Sequence, residues 1–221
     1  MRESYHQELN DVLQRMHHMA DLVSQAVKRS SEALLEADLA TAEAVISDDA
    51  QLDAMHEELE YKCLSILARQ APVAGELRMI VSAIRVVFEL ARMGDLSAHV
   101  AKIARLRYPD SAVPESLRSN FVRMSEVAQH MIDLAKRTLE ERDAEAAENL
   151  AIDDEEMDQL RRAQFQVLLS EDWTEGVEKA VDTALLGRYF ERLADHAVAV
   201  GRRVIYITTG QVPQGEDWPN A

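Results

Sequence analysis

Seven acids in this chain have the spacing to assemble oxygen ligands around a hard cation, and they fall into two similar sets. Asp49 and Asp53 are followed by Ala91 and Asp95; Asp154 and Asp158 are followed by Glu191 and Asp195. Residues four apart share one face of a helix. If each set straddles an antiparallel helical hairpin, its outer members lie level with each other and so do its inner members. The first hairpin then centres near Pro72 and the second near Thr174. Carboxylates brought level repel, and a bound cation is one way to make that arrangement favourable. Two readings of the residues stand side by side: a metal site near the surface, and a solvated acidic face of the kind common in acid-rich helices. A solvated face has no reason to align acids across a hairpin and then to repeat the arrangement.

The elements that must position these acids read as long helices. Leu9, Val12, Met16, Met19, Val23, Ala26, Ser30, Ala33 and Ala37 step by threes and fours along one seam. Leu117, Phe121, Met124, Ala128, Met131, Ala135 and Thr138 do the same at the start of the second half. Between and after them, residues 38–69, 75–107, 143–170 and 174–208 carry further helical patterns, with Val45, Leu52, Leu59, Cys63 and Ile66 in register on the first of these. The expected fold is all-α, six helices in two tandem three-helix bundles related by an internal repeat. The expected units are residues 1–109 and 114–210, joined through a proline-bounded link, with a tail at 211–221. A helix of about 30 residues is about 45 Å long, so an elongated molecule is expected.

Composition agrees and narrows the function. The 221 residues include few glycines and prolines, 5% aromatics and 47% apolar residues, as in proteins built from regular helices. Forty acids against 24 bases give a net charge of −16, which argues against nucleic acid as a main partner and against an electrostatically held membrane surface. Cys63 is the single cysteine, expected as a buried core thiol in a reducing compartment. The first residues carry no apolar leader, and no apolar run approaches the roughly 18 residues of a membrane span. A cytoplasmic protein without membrane insertion is expected. No glycine-rich phosphate loop or nucleophile elbow is present, and no enzymatic activity is expected. The alternative is a carboxylate-bridged di-metal enzyme or metal store of the ferritin-like kind. Such bundles use Glu-x-x-His, to which Asp53 with His56 is the nearest approach.

The runs Arg92, Met93, Gly94, Asp95 and Glu191, Arg192, Leu193, Ala194, Asp195, His196 resemble the signature of the PhoU family, Glu-Arg-Ile-Gly-Asp, which occurs there once in each repeat. The stretches leading to Asp53 and Asp158 resemble the other half of that pattern, and residues 70–78 resemble the bend before the third helix. The resemblance runs from about Tyr5 to Gly210. It implies acidic motifs that hold metal ions, with iron, zinc, manganese or magnesium as candidates, and a cytoplasmic, often dimeric protein. It further implies repression of the phosphate-starvation (Pho regulon) response as a negative regulator of phosphate uptake. The implied partners are the ATPase subunit of a phosphate ABC importer and a sensor histidine kinase.

One departure stands out. Ala91 occupies the place that Glu191 fills in the second set, and Glu89, two residues away, points to the opposite side of its helix. The expected metal ligands are therefore Asp154, Asp158, Glu191 and Asp195, with Asp49, Asp53 and Asp95 as a weaker site. His56, His99 and His196 lie close enough in sequence to supplement the acids, and each also fits a structural role. Arg92 and Arg192 fit either as hydrogen-bond partners of the acids or as balancing surface charge.

Overall fold

The computed structural model describes residues 2–211; residues 212–221, nearly all of the expected tail, lie outside the described residues. The chain forms six helices and no strand among the described residues: α1 (Arg2–Glu36), α2 (Leu39–Gln70), α3 (Ala74–Arg107), α4 (Arg118–Glu141), α5 (Ala144–Leu168) and α6 (Gly176–Thr209). A single turn of 3-10 helix, Glu115–Leu117, leads into α4. The all-α expectation with six long helices holds.

The seams explain the assembly. On α1, Leu9, Val12, Met16, Met19 and Val23 are buried as the spacing predicts, and so are Val27 and Leu34, which widen the stripe. The widening has a cause: α1 packs against α2, α3 and also α4, more than one stripe can serve. On α4, Phe121, Met124, Ala128, Met131, Ala135 and Thr138 are all buried, and Phe121 tilts against Phe190 of α6 with ring centroids 6.1 Å apart. Cys63 is fully buried, and burial pushes its thiol up to about 11.

The repeat extends to the turns. Ala37 and Arg142 each adopt a left-handed conformation, φ 51° and φ 54°, that ends the preceding helix. Asp38 and Asp143 then cap α2 and α5, accepting hydrogen bonds from the backbone of Thr41 (3.1 Å) and Ala146 (3.0 Å). Two N-caps at equivalent places put α2 and α5 in one shared register.

Helices α1, α2 and α3 pack together, as do α4, α5 and α6, but the two triplets also meet along α3 with α6 and α1 with α4. Both seams run antiparallel. Arg107 near the end of α3 pairs with Asp182 and Glu178 near the start of α6, while Glu89 earlier on α3 meets His196 later on α6. On the second seam Lys136 pairs with Asp21 (2.7 Å) and Arg118 donates to the Leu35 carbonyl (2.6 Å). The link between the triplets is itself packed, with Ala112, Val113 and Leu117 buried.

The second hairpin turns two residues earlier than the acids suggest. Its connection runs through residues 169–175, centred on Asp172 rather than Thr174. Packing, not turn symmetry, keeps the register: buried Gln164 on α5 donates to the Thr183 carbonyl on α6 and occupies the space a side chain at Gly187 would need.

Candidate functional site

The first acidic set sits on the α2–α3 seam. Gly94 lies against Leu52 so closely that a Cβ there would meet Leu52 Cδ1 at 2.6 Å and Asp49 Oδ1 at 3.4 Å. The missing side chain lets α3 draw up to α2 and brings Asp49 beside the α3 backbone. Asp49 is half-buried; burial first, then the charges of Asp95 and Asp53, push its carboxyl above the usual range, with Lys102 and His99 opposing. Arg92 donates to Asp95 (2.8 Å), so one of the two motif arginines does partner an acid. Asp53 is exposed and Ala91 is buried.

The second set sits at the equivalent place on the α5–α6 seam. Burial, then Asp195 and Asp158, push the Asp154 carboxyl up to about 6, against the pull of Arg202. Asp195 is also raised, by burial and then Glu191, with Arg188 and His196 opposing. Sequence spacing therefore placed the carboxylates of each set within electrostatic reach of one another.

Glu191 behaves differently from the aspartates around it. Its side chain is 11% exposed; Arg161 Nη1 on α5 holds Oε1 at 2.6 Å and Arg188 Nη1, one turn back on α6, holds Oε2. Neither arginine was singled out by sequence reasoning, although the i,i+3 spacing of Arg188 and Glu191 carried the signal. Arg192, which was singled out, is exposed and forms no ion pair among the described residues.

The three histidines serve packing. His56 sets its ring edge to Phe88, 6.2 Å between centroids. His99 on α3 stacks on Tyr189 of α6 at 5.3 Å. His196 Nδ1 lies 2.6 Å from Glu89 Oε2, joining the two triplets. Glu89 is thereby engaged away from the first acidic set, as its helical angle requires.

Among the described residues, no three His, Cys, Asp or Glu side chains are gathered tightly enough to hold a metal ion in their present rotamers. The donor chemistry separates what fits a cation from what does not. In each set three aspartates offer hard oxygen ligands, and the carboxyls of Asp49, Asp154 and Asp195 are raised first by burial and then by mutual repulsion, both of which a cation would offset. Glu191 does not fit in this arrangement, because both of its oxygens already face guanidinium groups.

Comparison with known proteins places this geometry. A family model described as the PhoU domain matches twice, over residues 16–104 and 121–204, one match for each triplet of helices. The phosphate-specific transport system accessory protein PhoU homolog 1 of Mycobacterium tuberculosis is 45% identical over 217 residues, 98% of each chain. Homolog 2 of the same organism is 45% identical over 213 residues, 96% of this chain and all of that one. The crystal structure of PhoU from Pseudomonas aeruginosa superposes with a TM-score of 0.86 at 27% identity, covering 94% of this chain and 100% of that one.

Proposed function

This chain belongs to the PhoU domain family, and from that membership we propose that it is an accessory protein of a phosphate-specific transport system. The observation that carries the reading is identity of 45% across 98% of a relative bearing that name. It is joined to a doubled acidic motif on equivalent helix seams.

The finer reading is a non-catalytic adaptor in the cytoplasm. It holds down phosphate uptake and the phosphate-starvation response when phosphate is plentiful, through contacts with the ATPase subunit of the phosphate importer and with a sensor histidine kinase. A homodimer is the proposed working form. Long rigid helices with exposed polar faces suit such a role, since a binding surface on packed helices is held in place without a ligand. In a protein of charge −16, diffusional steering would come from basic surfaces on the partners.

The proposal includes a cation, iron, zinc, manganese or magnesium, at the aspartates: Asp154, Asp158 and Asp195 in the second set, and Asp49, Asp53 and Asp95 in the first. Such an ion would supply positive charge at a surface that is otherwise acidic. The chain's own residues contribute the oxygen donors, and Arg92 orients Asp95 through its 2.8 Å hydrogen bond. The ferritin-like alternative has no observation in its favour, since the one partial match to its motif turns His56 against Phe88.

Deleting the gene and measuring phosphate uptake and starvation-gene expression in phosphate-rich medium tests the reading. Derepressed expression that returns to normal with a plasmid copy is the expected result. Unchanged uptake and expression in the deletion strain refute it.

A further inference from the structure

The N-caps Asp38 and Asp143 fix the correspondence of α2 with α5, and Asp95 and Asp195 fix that of α3 with α6. Carried along the helices, this correspondence matches Arg161 with His56, Arg188 with Phe88, and Glu191 with Ala91. The two arginines that each hold Glu191 in the second repeat are thus replaced in the first by His56 and Phe88, whose rings meet edge to face. A carboxylate between two guanidinium groups in one repeat stands where the other has two aromatic rings and a methyl group. Losing the glutamate alone would strand the partly buried Arg161, and losing the arginines alone would strand a buried carboxylate; each costs more than losing all three.

We propose that Glu191, Arg161 and Arg188 form a self-compensated ion triad that takes Glu191 out of the cation set, so that the two acidic sites are matched three-aspartate sites. Ala91 is then no defect of the first site. It is the counterpart of a residue whose two oxygens are already held by guanidinium groups. A cation ligated by both oxygens of Glu191 would have to displace Arg161 as well as the more exposed Arg188. Arg161 is poorly placed to leave: its guanidinium packs 5.3 Å from the Phe165 ring centroid and its side chain is only 29% exposed.

The inference rests on the proposed cation reading only for its ligand count, and the test separates the two. In EDTA, with no cation involved, E191Q is expected to lower the melting temperature by about 4–8 °C, and the unit replacement R161H/R188F/E191A to recover most of that loss. For the ligand count, Mn2+ is titrated calorimetrically in a D49N/D53N background, where only the second set reports. The unit replacement is expected to leave the Kd unchanged or tighter, because it removes two cations and one anion. Weakening by about tenfold or more makes Glu191 a ligand and overturns the inference while the cation reading stands. If the unit replacement does not fold, the reverse transplant H56R/F88R/A91E in the first set decides: tighter Mn2+ binding there overturns the inference, and unchanged or weaker binding upholds it. If wild-type protein binds no Mn2+ at all, the cation reading fails and the EDTA arm decides alone. In every case, an E191Q protein as stable as wild type in EDTA overturns the triad.

Discussion

Replacing Asp154 by Asn is expected to stabilise the metal-free protein at neutral pH and to leave it nearly unchanged in acid. Burial, with the charges of Asp195 and Asp158, raises the Asp154 carboxyl from 3.8 to about 6 in the folded chain. An acid whose folded value lies above its unfolded one binds its proton more tightly when folded. Its favourable contribution is complete below the unfolded value and is lost as pH rises through the folded value. The window therefore runs from about pH 4 to about pH 6, and above it the ionised carboxylate opposes folding. A gap of about two units corresponds to roughly 3 kcal/mol. Asp154 is only half-buried, so screening by water reduces this to on the order of 1–2 kcal/mol. Asn keeps the shape and removes the charge. Urea unfolding of both proteins in EDTA, extrapolated to water, should show a gain of about 1–2 kcal/mol at pH 8 and less than about 0.5 kcal/mol at pH 4. An equal gain at both pH values, or a loss at pH 8, would show that an ionised Asp154 is not held at a cost by burial and its acidic neighbours.

Three further outcomes follow from the packing. Gly187→Ala should cost about 1–3 kcal/mol, because the new methyl group displaces the Gln164 amide and breaks its bond to the Thr183 carbonyl; chemical denaturation measures it, and a neutral result would mean that α5 and α6 are not held at this point. Arg142→Gly should raise the melting temperature by about 1–3 °C, since the residue holds φ 54° where glycine is unstrained; a lower melting temperature counts against the strain argument. Glu89→Ala should cost about 1–2 kcal/mol by removing the partner of His196 Nδ1, whose Nε2 is already buried and unpaired. In hydrogen exchange the protection lost should concentrate on α3 and α6; loss confined to α1 and α2 would place the contact's role elsewhere.

The helices, their seams and the acidic sets were legible because each is a local or a hairpin property. Periodicity exposes a buried stripe, as at Phe121 to Thr138, and spacing of four exposes a shared face, as at Asp49 and Asp53. The antiparallel register of a hairpin follows from its turn to within a residue or two, the margin by which the second turn departed from Thr174. Sequence reasoning also separated Glu89 from the first acidic set, since a helical angle does not depend on the rest of the fold.

Three things were decided only by the tertiary structure. The antiparallel union of α3 with α6, carrying Glu89 with His196 and His99 with Tyr189, is a contact between repeats, and no spacing within a repeat encodes it. The burial of Ala112, Val113 and Leu117 in the link within the core has the same origin. The pairing of Glu191 was undecided in sequence for a subtler reason. Spacing says which groups can meet, but burial sets how strongly a carboxylate must be compensated, and at 11% exposure Glu191 takes two guanidinium groups while Asp158, at 48%, remains open to water. Helical spacing settles which acids share a seam; the depth of each on that seam, set by how six helices close on one another, decides which of them stays available.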